Sequence, residues 1–295
     1  IRLDADNANA YMDLGELLWK MGRTDEAKEV HARALPIRQK RARSKPEDKA
    51  GAQYELGYSH FWLGQYEQAI TAFKEAVRLA PTNPYYHEML GKAYYWQGKP
   101  ADGGPSTRLD DAIAEYKIAL GLNPKSAWMH SVLASTYVEA GRQEDALREL
   151  EEAVRLDPCD AEAVFLLASQ YDVMGRKGEA EETYHRLSQL KPTMTIAWQY
   201  LAVMAGERGD HAGAVEYYRA GLRADPNEAN LHYGLGSSLY ALGQYEEAEA
   251  EYRRTTELLP DDARSFAAWG DALAQLGRRA EAIAAYQKSL QLDAT

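Results

Sequence analysis

Residues 229–262 read ANLHYGLGSSLYALGQYEEAEAEYRRTTELLPDD, and this stretch decides the fold. Its first half places four residues at the i, i+3, i+4 and i+7 spacing of one helical face: His232, Leu235, Gly236 and Leu239. Gly243 ends this helix, and a second helical pattern runs on to Pro260, which cannot extend a helix. The stretch predicts two helices joined by a tight turn, a unit too small to bury its apolar face alone.

Copies of this unit fill the chain, with a step of 34 residues from Ala127 onward. Position 15 of the unit is always glycine: Gly22, Gly64, Gly98, Gly141, Gly175, Gly209, Gly243 and Gly277. Position 20 is always alanine: Ala27, Ala69, Ala112, Ala146, Ala180, Ala214, Ala248 and Ala282. Position 8 is glycine or alanine throughout. We expect the glycine at position 15 to supply the positive φ of a helix C-cap, and the small residues to let the paired helices approach closely.

These small, aromatic and proline positions resemble the tetratricopeptide repeat, TPR. The resemblance implies an all-α fold, a right-handed α-α superhelix (TPR solenoid) of about eight helix-turn-helix repeats in one continuous array. The predicted repeats span residues 8–49, 50–83, 84–126, 127–160, 161–194, 195–228, 229–262 and 263–295. Residues 1–7 match the end of a truncated preceding repeat, which indicates that the chain is cut from something longer.

The first irregular step, 42 residues, separates copies one and two. Pro36 is predicted to kink or end the second helix of copy one, because proline removes a helical hydrogen bond. A basic stretch, residues 38–49, follows, and we interpret it as a solvated helix end and linker, with contact to nucleic acid or an acidic partner as the alternative. Ser44 and Glu47 have capping-box spacing, so the next helix is expected to begin early.

The second irregular step adds nine residues inside copy three. The inserted segment, residues 99–109, is rich in glycine and proline and predicts an exposed loop, with Thr107 and Asp110 capping the delayed helix. A phosphate-binding loop is excluded, because no G-K-[ST] motif follows. A loop that reaches over the groove to touch a ligand stays open.

Composition sets limits on location and partners. The net charge of −11 argues against general nucleic-acid binding, and the single cysteine, Cys159, excludes an internal disulfide. No apolar run reaches the length of a membrane span, and no signal peptide is visible. We predict a cytoplasmic protein and leave its oligomeric state open.

Catalytic and metal-binding patterns are missing from the sequence. His87-Glu88 begins like a zinc-protease helix, but the second histidine would fall at Gly91. His87, His130 and His232 all occupy position 4 of the unit, where ordinary packing explains them. The chain is predicted to be no enzyme, with no catalytic residue, metal or cofactor.

The resemblance implies that the first helix of each repeat lines a concave groove. Rings and one lysine collect there in copies one to four, and we predict these as peptide-binding residues: Trp19, Tyr54, Tyr58, Trp62, Tyr85, Lys92, Tyr95, Trp96 and Trp128. The alternative for Trp62, Tyr95 and Trp96 is half-burial between adjacent repeats. Carboxylates outnumber cations at the groove positions, which predicts an acidic groove; among them are Glu16, Glu55, Glu88 and Glu139.

We therefore predict a non-enzymatic protein–protein interaction scaffold that binds an extended peptide or partner segment in an aromatic, acidic concave groove. The partner would carry apolar or aromatic side chains with basic ones. The alternative is the sensing or substrate-recruiting TPR region of a larger enzyme or signalling protein whose catalytic domain lies outside this chain.

Overall fold

The computed structural model describes residues 8–44 and 48–293, and over that part of the chain it contains only helices. In order they are α1 (Ala8–Lys20), α2 (Thr24–Ser44), α3 (Lys49–Trp62), α4 (Tyr66–Leu79), α5 (Pro84–Gly98), α6 (Leu109–Leu122), α7 (Ala127–Glu139), α8 (Gln143–Leu156), α9 (Ala161–Val173), α10 (Lys177–Leu190), α11 (Thr195–Glu207), α12 (His211–Ala224), α13 (Ala229–Ala241), α14 (Tyr245–Leu258), α15 (Ala263–Gln275) and α16 (Arg279–Asp293). The all-α prediction is confirmed.

Consecutive helices pack as hairpins, and the chain divides into two compact units between Asp157 and Pro158. The first unit holds α1 to α8 and the second α9 to α16. Seven of the eight first helices begin at the first residue of a predicted repeat, and α3 begins at Lys49, one residue before its repeat. The predicted remnant over residues 1–7 lies outside the described residues.

Small residues hold the two helices of each hairpin together. A Cβ on Gly57 would lie 2.7 Å from the ring of Phe73, and one on Gly236 would lie 2.9 Å from the ring of Tyr252. These are positions 8 and 24 of the unit, so a ring on the second helix rests directly on the backbone of the first. The alanines at position 20 are at most 3% exposed. A larger side chain at either position would push the helices apart.

The turn glycines take the left-handed conformation in seven copies, with φ between 72° and 79°. Gly98 is the exception, so the positive-φ prediction is wrong for copy three. Gly98 is the last residue of α5, and a Cβ there would collide with the Ser106 side chain and the Arg108 backbone. It is kept small by close packing of the inserted loop.

Helix α2 runs from Thr24 to Ser44 with Pro36 inside it, so of the two predicted effects of this proline, a kink or an end, the helix end does not occur. Pro36 and Ala32, whose carbonyl loses its partner, both lie on the exposed face, where water can satisfy the free oxygen. Helix α3 is capped by Asp48, whose Oδ1 accepts a hydrogen bond from the Gly51 N–H at 3.1 Å. Glu47, the second member of the predicted capping box, lies outside the described residues.

Residues 38–44 of the basic stretch form the end of α2, as interpreted, but Arg38 and Arg41 are not solvated. The Arg38 side chain is fully buried and donates a hydrogen bond to Ser59 Oγ. Arg41 Nη1 lies 3.0 Å from Glu55 Oε1. Burial lowers the pKa of the Arg38 guanidinium. These arginines join α2 to α3, so they are not available as a nucleic-acid surface.

A donor from the following repeat caps the carbonyl of nearly every inter-repeat proline. His87, His130 and His232 place Nε2 at 3.0, 3.3 and 3.0 Å from the carbonyl oxygens of Pro81, Pro124 and Pro226. At two other junctions the donor is a different side chain: the Trp198 indole donates to the Pro192 carbonyl, and the Arg186 guanidinium donates to the Pro158 carbonyl. The position-4 histidines are therefore junction donors as well as packing residues. Within the described residues, every helix is too short or too polar to span a bilayer.

Candidate functional site

A cavity of about 880 Å³ opens in the first unit. Its walls come from the first helices of copies one to four, together with parts of α2, α4 and α6 and the α3–α4 and α6–α7 turns. Eight of the nine residues predicted from the sequence line it: Trp19, Tyr54, Tyr58, Trp62, Tyr85, Lys92, Trp96 and Trp128. Tyr95 does not.

The first ring cluster consists of Trp19, Tyr58, Phe61, Trp62 and Tyr66, all of which line the cavity. The ring centroids of Trp19 and Trp62 are 4.8 Å apart, and those of Phe61 and Tyr66 are 5.7 Å apart. Trp19 is 42% exposed, whereas Tyr58 and Phe61 are buried. The cluster is a rigid wall in which tilted and edge-on ring pairs hold one another in place.

The second ring cluster consists of Tyr85, Met89, Trp96, Trp128 and Met129. Tyr85, Trp96 and Trp128 are 63%, 45% and 48% exposed, while both methionines are buried. These three rings and the two methionines give the cavity lining apolar surface that a ligand could cover.

Copies one and two are joined in a different register from two junctions of the second unit. In those junctions the ring at position 24 faces position 6 of the next repeat: Tyr184 stacks on Tyr200 at 4.7 Å, and a Cβ on Gly234 would collide with the Tyr218 ring. In copy one, His31 at position 24 instead stacks on Trp62 and meets Tyr58 edge-on, at 5.9 and 5.7 Å. These are positions 13 and 9, so α3 is displaced along α2 by roughly one to two helical turns. The longer α2 makes this displacement possible, and it brings Trp62 to the cavity.

The charged residues of the lining are three lysines and two glutamates: Glu16, Lys20, Lys28, Glu88 and Lys92. Lys20 lies 2.8 Å from Glu16 and Lys92 lies 3.2 Å from Glu88, each one turn away on the same helix. Lys92 Nζ also lies 4.5 Å from the Trp128 ring centroid. The expectation of an acidic groove does not describe this cavity.

Two carboxylates counted toward that acidic groove are engaged elsewhere. Glu55 is buried and turned toward Arg41. Glu139 anchors the inserted loop, since its Oε1 accepts from the Ser106 N–H at 2.6 Å and from Lys99 Nζ at 3.0 Å. The other oxygen, Oε2, accepts from the Tyr95 hydroxyl at 2.6 Å. The contact with Glu139 explains why Tyr95 is absent from the lining.

The inserted loop lies back against α7, and none of its residues lines the cavity. The N-cap predicted at Thr107 is wrong, because α6 is capped at Arg108 and Thr107 Oγ1 donates to the Gly98 carbonyl at 3.3 Å. The Arg108 guanidinium stacks over the Tyr94 ring at 4.3 Å. The loop closes against its own repeat and against α7 of the next repeat, and none of its residues lines the cavity.

Burial raises the pKa of the Tyr54 and Tyr58 hydroxyls, so both stay neutral at physiological pH. The sequence reasoning missed Lys28 and Tyr66, which lie on second helices, and Asn123 and Ser126, which lie at a repeat junction. It considered only the groove positions of first helices. The 42-residue step was the signal that the first junction departs from the regular pattern.

Family models place the chain among helical repeat proteins. Models described as TPR repeat or tetratricopeptide repeat match residues 7–41, 57–98, 165–229, 207–269 and 263–295. A model described as bacterial transcriptional activator domain matches residues 121–196. A search of curated proteins gives no match.

Solved structures agree with the fold. The crystal structure of MamA protein is similar, with a TM-score of 0.52 and 23% identity over 61% of this chain and 94% of that chain. MamA 41-end from Desulfovibrio magneticus RS-1 gives 0.52 and 19%, over 57% and 94%. YrrB, described as a TPR protein with an unusual peptide-binding site, gives 0.52 and 20%, over 60% and 91%. With the family matches along its length, the chain belongs to the tetratricopeptide-repeat family.

Proposed function

We propose that this protein is a non-enzymatic interaction scaffold whose cavity in the first unit binds a segment of a partner protein. The observation that carries the proposal is that three large rings of the second ring cluster, at 45–63% exposure, line the same cavity as two buried methionines. Such exposure costs hydrophobic free energy in the unbound protein, and a ligand that covers the rings regains it. Aromatic anchors are also the residues that contribute most at protein interfaces.

The similarity to YrrB supports this reading at the level of the fold, because that protein is described as having a peptide-binding site. The cavity volume of about 880 Å³ falls in the range of sites that enclose a ligand of limited size. A short segment that inserts side chains between the two ring clusters fits these dimensions better than a broad, flat contact.

The test compares partner capture by the unaltered chain and by the double variant Trp96→Ala/Trp128→Ala. Both rings are about half exposed, so their removal leaves the core intact and circular dichroism is expected to be unchanged. Trp198→Ala is the matched control, since this tryptophan lies in the second unit, outside the cavity. We expect the double variant to lose at least tenfold in recovered partner while the control retains it. Equal recovery with all three proteins would refute the proposal.

A second candidate rests on the match of residues 121–196 to the bacterial transcriptional activator domain. In that case the array is the interaction region of a regulatory protein, with its other activity carried by a separate domain. The flanking reading frame decides this: a DNA-binding domain encoded next to the repeats supports the regulator, and its absence there removes this candidate.

A further inference from the structure

Lys28 is a charged residue of the cavity lining that has no oppositely charged partner among the described residues. Both glutamates of the lining pair with lysines on their own helices, Glu16 with Lys20 and Glu88 with Lys92. Across the described residues Lys28 makes no ion pair or side-chain hydrogen bond, and it is exposed. The cavity therefore presents two neutralised pairs and one positive charge.

The slipped junction explains why a lysine lies there. Lys28 occupies position 21 of its repeat; in the other repeats of the first unit this position holds Ile70, Ile113 and Leu147, which are at most 6% exposed. In copy one α3 lies farther along α2, and position 21 lines the cavity with a cation where the other repeats of the first unit have an apolar side chain.

A lysine beside aromatic walls interacts more strongly with an anion than a fully solvated one, because the rings exclude part of the water. A basic ligand would bring a like charge to Lys28 without any unpaired carboxylate of the lining to offset it. The charges of the lining thus select against the basic partner that the overall composition favours.

We propose that the cavity takes a peptide segment in which an aspartate or glutamate lies among aromatic or aliphatic side chains. The carboxylate meets Lys28 and the apolar side chains rest on the two ring clusters. This inference rests on the proposed function and adds the chemistry of the ligand to it.

The experiment is a selection of 16-residue random peptides displayed on phage against the intact chain, Lys28→Glu, Trp96→Ala/Trp128→Ala, and Lys117→Glu. Lys117 is an exposed lysine on α6 outside the cavity, so its reversal matches the change in net charge made at Lys28. The most enriched peptide is then synthesised with a fluorescent label, together with its Asp→Asn or Glu→Gln form, and both are titrated by fluorescence anisotropy.

We expect acidic residues flanked by aromatic or aliphatic ones to be enriched on the intact chain and on Lys117→Glu. Lys28→Glu should bind the selected peptide about tenfold more weakly, and neutralising the peptide's carboxylate should remove most of that difference. Peptides that depend on Trp96 and Trp128 but show no acidic bias, or no effect of Lys28→Glu, would overturn this inference alone. Peptides that bind the ring-deficient variant equally well, or no enrichment at all, would overturn the proposed function with it.

Discussion

Replacing His31 by phenylalanine is expected to stabilise the first unit, and most strongly at acidic pH. The imidazole is fully buried between Gly15, Tyr58 and Trp62, and neither ring nitrogen has a hydrogen-bond partner among the described residues. An unsatisfied buried polar group costs about 1–3 kcal/mol. Phenylalanine already fills the equivalent place in copy two, where Phe73 rests on Gly57.

The pH dependence follows from the protonation of His31 in the two states. Burial, and to a lesser degree the nearby Arg38 charge, lowers the pKa of His31 from 6.5 to about 4 in the folded protein. Between these two values the unfolded chain binds a proton that the folded chain does not, so wild-type stability falls as the pH falls. At pH 5 this amounts to about 2 kcal/mol relative to pH 7.5, since each unit of pKa difference corresponds to about 1.4 kcal/mol.

The assay is urea unfolding of both proteins at pH 5 and 7.5, followed by circular dichroism. Hydrogen exchange of the α2 amides is measured alongside, because repeat arrays open locally. His31→Phe should gain about 1–3 kcal/mol at pH 7.5 and about 2 kcal/mol more at pH 5. The reciprocal variant Phe73→His should lose stability and acquire acid sensitivity. A stability difference between His31→Phe and wild type that is the same at both pH values would refute the reasoning.

Three further predictions concern other contacts. His232 Nδ1 lies 2.6 Å from Glu251 Oε2, and this hydrogen bond raises the pKa of the imidazole in the folded protein. The contact therefore stabilises the fold fully below pH 6.5, and this stabilisation is lost as the pH rises through the folded-state pKa. In urea unfolding, His232→Gln should cost about 1 kcal/mol at pH 6 and less at pH 9. Glu139→Gln weakens three contacts of the inserted loop, so limited proteolysis within residues 99–108 should become several-fold faster, whereas an unchanged rate would show that the loop is held by other means. Gly98→Ala should destabilise the protein by about 1–3 kcal/mol through steric overlap with Ser106 and Arg108, measured as a lower thermal midpoint, although its φ is an ordinary one.

The regular part of the fold was predictable because each repeat solves the same packing problem with the same residue sizes. A ring at position 24 needs a small residue at position 8, and that pairing is legible in the sequence without coordinates. Seven repeat starts matched helix starts for this reason. Pro36 shows the limit of local rules, since its effect on a helix depends on whether the freed carbonyl faces water.

The cavity was predictable in its rings but not in its charges. Ring positions follow from helical periodicity, whereas the partners of Glu55 and Glu139 come from distant segments brought together by packing. The exposure of Lys28 depends on the displacement of α3 along α2. The 42-residue step indicates that this junction is irregular but does not give the size or direction of the displacement. Counting charges by position therefore predicted an acidic groove, whereas the lining of the cavity in the first unit holds three lysines and two glutamates.

The hydrogen bonds to the proline carbonyls affect how repeats can be duplicated, deleted or exchanged in such an array. Histidine, tryptophan and arginine all serve as the donor, and in most junctions the donor sits on the repeat that follows the proline. A repeat that is duplicated, deleted or exchanged thus brings its own means of joining to any neighbour that ends in proline. Such repeats can be reordered while the proline carbonyl at each junction still accepts a hydrogen bond.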